Sequence, residues 1–556
     1  MKKRFIFALS AAVALPVMAQ TAIDAYQLSR YDLRGTARFM SMGGAFGALG
    51  GDLSTLNQNP GGIGVYRKSE IGFTLDIEMQ NATTTSTLEK YKDTQTKVGV
   101  NNFGYVGSAV TGSDIMPIFN WGFSYGRVAS FNRRFQGSTD MNGSLSNLIA
   151  GYTTYDGYTR DELTGSDTNW SRGEAPLMSM LAYNSYIMNP VGNTNQYNGL
   201  WDPAKTFGVS EFGVEEKGYI DEYEINVGGN FDNTLFWGLG VGITDIQYTR
   251  ATYYGEYLDW AKLPELVNGE PVSGPATQIK DENGNVYDSG FDLNSFKRIT
   301  GTGVNVKFGL IYKPINELRI GFAVHTPTFY SLTQEEDASI RSYYGYTYDE
   351  NTDSYSGPTT VETYSPYVPA DSYDWKFRTP WRMIVSAAGV IGSNAIVSLD
   401  YEYRPYQNMS AKYANGNSAD MTNNDIKSYY NSANIIRLGA EYRITPSFSV
   451  RAGYAYESTP TTKEVRNSEM EVFTSPYDTG VPGLTPSYTL DNLTQYITCG
   501  LGYRYKNFYA DAAYVHKSRK SEFHPYTGNN PYTPNPYTAE IKENFNNIVL
   551  SVGFKF

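Results

Sequence analysis

The side chains able to do catalytic or metal chemistry are few. The 556 residues hold three histidines, His325, His516 and His524, and one cysteine, Cys499. A single cysteine excludes a disulfide framework and a cysteine-based zinc site. No nucleophile elbow, His-Glu-x-x-His pair or triad spacing stands out. The chain is therefore not read as an enzyme, and no cofactor or metal is expected. His516 and His524 fall at the outer end of a strand and in the loop beyond it. A surface histidine is the default there, and a haem contact the alternative. Asp281 to Asn285 has the look of a calcium loop, but Gly284 comes two places early for an EF-hand, so a turn is the better reading. The glycine-rich run around Gly43, Gly44, Gly47 and Gly50 lacks the Lys-Ser/Thr of a phosphate loop.

What remains is charge. Lys307, Arg319, Arg437 and Arg451 lie on the polar faces of alternating segments, as do Asp400, Glu402, Glu441 and Asp511. Such a set can bind a carboxylate, or it can be a ladder of ion pairs that stabilises the fold. His325 shares its phase with Arg319. The net charge of −12 argues against a nucleic-acid partner, which needs clustered Lys and Arg.

The elements that carry these residues are strands. From Asn546 the even positions read Asn, Ile, Leu, Val, Phe, Phe, while the odd positions are mostly small or polar. The same period of two recurs at Ile497–Tyr505, Phe448–Tyr456, Ala395–Tyr403, Val304–Tyr312 and Ile71–Ile77. Terminal tyrosines such as Tyr401/Tyr403, Tyr454/Tyr456 and Tyr503/Tyr505 suit the girdles of a membrane barrel. Strands are expected near 69–79, 101–110, 119–130, 221–232, 235–249, 301–313, 317–327, 380–391, 394–406, 434–443, 447–457, 494–505, 507–518 and 544–556. Short turns alternate with long connections at 80–100, 131–220, 250–300, 328–379, 407–433, 458–493 and 519–543. That two-sided topology is the mark of an outer-membrane barrel, with turns in the periplasm and loops outside.

The N-terminus agrees. Lys2-Lys3-Arg4, an apolar run and Val17-Met18-Ala19 read as a secretory signal, residues 1–19, cut before Gln20. The expected fold is all-β: a 14-stranded antiparallel transmembrane β-barrel over residues 69–556, with seven long extracellular loops. A lumen of that size is too wide for wall side chains to fill. Residues 20–68 do not alternate, and they are expected to fold back into the barrel as a hatch.

Here a resemblance emerges. Gly43-Gly44-Ala45, then Asp52, then Asn59-Pro60-Gly61-Gly62 before the first strand is similar to the start of the FadL/TodX family. Arg437 to Arg443, Ser449 to Tyr456, and Gly301 to Tyr312 followed by Leu318 to Gly321 resemble later parts of it. The resemblance implies a passive outer-membrane transporter for long-chain fatty acids or other hydrophobic compounds. It implies a hatch motif of Gly43, Gly44, Asp52, Asn59, Pro60 and Gly61, the last replacing the family's Ala. It also implies a kink or lateral gate in the third strand, for which Gly122 and Gly126 are the candidates. A fatty-acid carboxylate needs a lumen cation, and Arg437, Arg451, Lys307 and Arg319 are the candidates. The expected partners are hydrophobic cargo, outer-membrane lipid and the barrel-assembly machinery, which would read the C-terminal strand ending at Phe556; the chain itself is expected to be a monomer. A non-specific porin, or a haem-binding or adhesive receptor using the Tyr-rich loops 341–367 and 524–537, are the alternatives.

Overall fold

A strand that alternates apolar and polar residues has one face for each environment, and only closure removes its unpaired edges. The computed structural model describes residues 21–164, 175–268, 270–280, 286–287, 289–344, 347–349, 354–356, 367–475 and 480–556. The expected signal segment, the turn at 281–285 and much of the loop 341–367 lie outside these residues. Fourteen antiparallel strands close into a barrel. They are β1 (Glu70–Thr85), β2 (Lys90–Val110), β3 (Ile118–Ser130), β4 (Phe207–Phe231), β5 (Leu235–Asp259), β6 (Ser289–Ile315), β7 (Leu318–His325), β8 (Arg382–Ile391), β9 (Ala395–Pro405), β10 (Ser432–Thr445), β11 (Phe448–Glu457), β12 (Tyr488–Tyr505), β13 (Phe508–His524) and β14 (Ala539–Lys555). The seam runs between β1 and β14, from Glu70↔Lys555 to Thr85↔Glu540.

All fourteen expected strands are present, but several run further at the loop end. β1 and β2 continue to a turn at 86–89, where a loop over 80–100 was expected. Two effects hide this in the sequence. The outward residues become polar beyond the lipid, as at Thr94 and Thr96. A bulge also flips the faces: Thr74 pairs with Asn102 but Leu75 with Val100, leaving Asn101 as the extra residue. Four strands carry on beyond a break. Arg133–Asp140, Phe329–Tyr344, Tyr367–Arg378 and Ser410–Tyr413 extend β3, β7, β8 and β9. Pro327 and Pro380 stand at two of these breaks, where proline cannot donate to a ladder.

Outward side chains form an apolar belt. Ile320, Phe322, Val385, Leu399, Leu438, Ile497, Leu550 and many others are exposed. Trp381 and Tyr401 stand at its loop end; Trp121, Tyr442, Tyr503 and Tyr505 at its turn end. So large an exposed apolar surface belongs in lipid. No helix among the described residues is long and apolar enough to cross a membrane.

The interior is filled by the chain's own N-terminal segment. Residues 21–66 are almost all buried within the barrel. Helix α1 (Ala22–Leu28) is capped by Thr21, whose Oγ1 accepts from Asp24 N, and α2 (Ala37–Ser41) by Thr36, whose Oγ1 accepts from Phe39 N. α3 (Thr55–Gln58) leads into a 3₁₀ turn, Pro60–Val65, capped by Asn59. Phe39, Met40, Met42, Phe46 and Leu49 pack with Ala455, Tyr496, Val515 and Val549 of the wall. At the loop end, α4 (Leu145–Asp156), α5 (Arg160–Leu163) and α6 (Leu177–Asn184) form a cap. Leu148, Ile149, Leu181 and Trp201 share a core there with Phe212, Tyr254, Phe291, Ile340 and Phe523 of the strand ends. A further helix, α7 (Asp420–Tyr429), lies in the loop between β9 and β10.

Candidate functional site

The inner segment is held by polar contacts as well as by packing. Gly43 and Gly44 end α2 at φ +62° and +75°. Close approach adds a second demand, since a Cβ at Gly43 would stand 2.9 Å from the backbone of Tyr454. Asp52 Oδ1 accepts from Thr36 Oγ1 at 2.8 Å and from Ser54 N at 3.0 Å, closing a loop within the segment. Asn59 Oδ1 accepts from Gly61 N, and its Nδ2 donates to the carbonyls of Gly47 and, at 3.2 Å, Leu310. Pro60 begins the 3₁₀ turn, where its missing N–H costs nothing. Gly61 has a local reason for replacing Ala: a Cβ there would sit 2.9 Å from the backbone of Gly309 and Leu310. Wall glycines make the seat. Gly238, Gly309, Gly321, Gly439 and Gly453 all lie against the backbone of the inner segment. Their inward phase was visible in the sequence; that they mark the footprint of an inner chain was not.

The four candidate cations have different fates. Lys307 is fully engaged, with Glu222 at 2.5 Å and Glu224 at 3.4 Å. Arg451 bridges Glu441 at 2.7 Å and Asp511 at 2.6 Å, and Glu441 also holds Arg38 of α2. Arg319 has no carboxylate partner among the described residues; its Nη1 donates to the Leu49 carbonyl at 2.7 Å. Arg437 donates to Glu402 at 2.7 Å, yet its buried Nη1 has no hydrogen-bond partner among the described residues. Asp400 makes no ion pair among the described residues. Its Oδ2 accepts from Phe46 N at 3.1 Å, Gly47 N at 2.9 Å and Gln58 Nε2 at 2.8 Å, anchoring the inner segment.

Arg437 faces a cavity of about 70 Å³ between the inner segment and the wall. Leu33, Phe39, Ile435, Tyr456 and Tyr496 give it apolar and aromatic surface. Its cationic side was only partly foreseen. Arg382 and Arg404 join Arg437 on the single buried carboxylate of Glu402, and Glu457 adds a 3.4 Å contact to Arg404. Tyr31 lies with its ring 4.0 Å from the Arg382 guanidinium. Three guanidiniums against two carboxylates leave a positive excess beside an apolar surface. Deeper in, the inner segment contributes Asp32 and Arg34. Burial alone would raise the Asp32 carboxyl, but Lys517 at 2.6 Å and Arg30 hold it far below the ordinary range. Burial opposes the charge on Arg34 too, and its pairing with Glu78 and Asp76 outweighs that and raises it.

The histidines are placed as follows. His325 is buried in the lumen. Arg382 donates to its Nδ1 at 3.2 Å, so Nε2 carries the proton and donates to the Gln58 carbonyl at 2.9 Å. His516 Nδ1 lies 3.0 Å from Asn546 Oδ1. His524 is not at the surface as expected. It is fully buried and stacked on Tyr488 at 4.7 Å, because the outer end of β13 lies beneath the cap. Burial alone accounts for the lowering of its basicity. In the Tyr-rich loop 524–537, Tyr526 is buried in the cap core and Tyr532 packs edge-on to Tyr152 at 4.7 Å.

The two candidate glycines of β3 differ. Gly122 pairs with Val106 inside a continuous ladder, and a Cβ there would be 3.1 Å from the Tyr105 carbonyl oxygen. Gly126 pairs with Asn102, the last pair between β2 and β3. Beyond it β2 follows β1 alone and β3 follows β4 alone, with a bulge at Val128. Asn101, Asn102, Gly126, Arg127 and Val128 at this parting all line the cavity. Gly126 has open space beside it, its nearest neighbours standing 3.9 Å from a Cβ.

A closed antiparallel cylinder with an apolar belt and a filled lumen defines the class: an outer-membrane β-barrel. No family model and no curated protein matches the sequence. Among solved structures, a Pseudomonas aeruginosa FadL homologue aligns over 95% of this chain and 100% of its own, at 12% identity and a TM-score of 0.50. The P. putida toluene transporter TodX aligns over 94% and 99%, at 12% identity and a TM-score of 0.46. The Ralstonia pickettii toluene transporter TbuX aligns over 94% and 99%, at 13% identity and a TM-score of 0.43. The chain thus has the fold of the FadL homologue, and the resemblance read from its motifs is a resemblance of fold.

Proposed function

We propose that this barrel is a passive channel for hydrophobic small molecules, with long-chain fatty acids as its cargo, and that residues 20–68 are its hatch. The observation that carries the reading is the end of the β2–β3 ladder at Asn102↔Gly126, beside a lumen cavity. A barrel wall in lipid keeps its backbone groups paired, because each unpaired one costs several kcal/mol. A parting next to a cavity therefore suits a side exit. The cavity's apolar and aromatic lining suits the first methylenes of an acyl chain, and its volume of about 70 Å³ requires the hatch to shift for the rest. The free Nη1 of Arg437 suits its carboxylate. The hatch is joined to the wall by exchangeable hydrogen bonds around Asp400 and Asn59, so a shift of a few contacts widens the path.

The test is uptake of radiolabelled oleate by cells that depend on this protein. Gly126→Ala fits the open space and leaves uptake unchanged. Gly126→Trp fills the cavity mouth and reduces uptake to the level of cells lacking the protein. Arg437→Met lowers uptake of oleate but not of the matching long-chain alcohol. Normal oleate uptake through the folded Gly126→Trp protein refutes the side exit, and no uptake by the parent protein refutes the cargo.

A further inference from the structure

The exterior carries a cationic patch that transport does not use. Val385 and Met383 of β8, with Trp381 just before it, end the apolar belt. The chain then passes Pro380 and Thr379, and the strand Tyr367–Arg378 turns Arg378 and Lys376 outward. Its neighbour Ser410–Tyr413 pairs in a register that sets Arg378 against Ser410 and Lys376 directly against Lys412. Helix α7 adds Lys427, which shares a groove with Arg378, Trp381, Met409 and Asn424. Among the described residues none of these four cations has an ion-pair partner. Two carboxylates are near: Asp420 lines the same groove, and Asp374, one row further out, accepts from Thr333 Oγ1 at 2.6 Å. The excess is positive on a chain whose net charge is −12.

Like charges directly opposed across a ladder are destabilising unless something lies between them. A second outward pair shows the difference. Lys520 faces Lys542 on β13 and β14, but Glu522 and Glu540 stand in the next row. The Lys376–Lys412 pair has a single acid in the next row, Asp374, where the other pair has two. Its height matters too. Arg378 is three residues beyond Trp381, or about 10 Å along a strand. A tilt of about 45° brings that to ~7 Å along the membrane normal, which is the depth of one headgroup layer.

We propose that Lys376, Arg378, Lys412 and Lys427 bind the phosphate of an outer-leaflet lipid headgroup. Arg378 supplies a fork that matches phosphate geometry, and the lysines supply point charges. Phe329, paired with Arg378 and exposed, continues the apolar face on which the acyl chains lie, alongside Trp381 and Met383.

The test uses the full barrel in dodecyl maltoside, with diphosphoryl lipid A added and retention read by native mass spectrometry. The parent protein retains the lipid. Lys376→Gln with Lys412→Gln, and separately Arg378→Gln, weaken retention by about fivefold per cation removed. Lys520→Gln with Lys542→Gln leaves it unchanged. Folding is checked by heat-modifiable mobility on gels, and Arg378→Gln carries the test if the double variant does not fold. Unchanged retention in the patch variants overturns the proposal, as does equal loss in the Lys520/Lys542 control. A further arm reads protection of Lys376 and Lys412 from acetylation. Protection by lipid A and not by inorganic phosphate supports a lipid site; equal protection by inorganic phosphate overturns it.

Discussion

Replacing Asp400 with alanine should unlatch the inner segment while sparing the barrel. Asp400 is fully buried, and one of its oxygens accepts from two backbone N–H groups and a glutamine amide of that segment. Each buried donor left without a partner costs roughly 1–3 kcal/mol. Gln58 keeps a second contact, to the Gly44 carbonyl, and water entering the vacated space partly satisfies the others. A net loss of ~3 kcal/mol is a conservative figure. At about 1.4 kcal/mol per decade, the unlatched population rises about a hundredfold. Asp400→Asn, which keeps an oxygen acceptor, should lose far less. The assay is single-channel recording in planar bilayers, paired with limited proteolysis of residues 41–52. The alanine variant should show brief conducting events and cleavage within the segment, while the barrel keeps its heat-modifiable mobility. If the alanine variant is as silent and as protease-resistant as the parent, Asp400 does not latch the segment, and the reasoning fails.

Arg451→Met leaves Asp511 without its cation while Glu441 keeps Arg38, at a cost of about 3–5 kcal/mol for a broken buried pair. The unfolding temperature read by heat-modifiable mobility should fall, and a second change, Asp511→Asn, should recover part of it. Asp425 on α7 has its carboxyl pushed up to about 7 by burial. An acid raised in the fold favours the neutral form, so its contribution is present at low pH and is lost as pH rises from the ordinary carboxylate range through that value. Hydrogen-exchange protection of residues 420–429 should therefore fall between about pH 4 and about pH 7, and Asp425→Asn should flatten the profile. Asp32 has the opposite sign. Its carboxyl is held low by Lys517, so its anchoring contribution is present above the ordinary carboxylate range and is lost only in strong acid. Conductance should stay closed through mild acid, and opening near pH 5 would count against that anchor.

The strands were legible because lipid and lumen impose opposite demands on successive residues. Their outer ends were not, since above the lipid both faces become polar and the bulge at Asn101 breaks the phase. The inward charges were legible too, but not their partners. Simple register opposes Asp400 to Arg437. The backbone N–H groups of Phe46 and Gly47 claim that carboxylate instead, so Arg437 reaches the neighbouring Glu402. No local pattern announces a competitor from a segment more than 300 residues away. Arg382 and Arg404 are not marked by the sequence for a similar reason. They belong to the site only because three neighbouring strands turn guanidiniums toward one acid. His524 reads as exposed in the sequence, but the cap of α4, α5 and α6 covers that strand end.

The seam between β1 and β14 bears on how such a molecule is put together. The inner segment runs straight into β1, and β1 is the strand that the last one zips onto. While that zipper is undone, the wall is a curled sheet with an open slit, and its contents can be laid in from the side. Nothing has to be threaded through a finished ring, past the capped mouth or between the turns. Final annealing of the first and last strands then imprisons what is already seated, so that filling and sealing belong to one event.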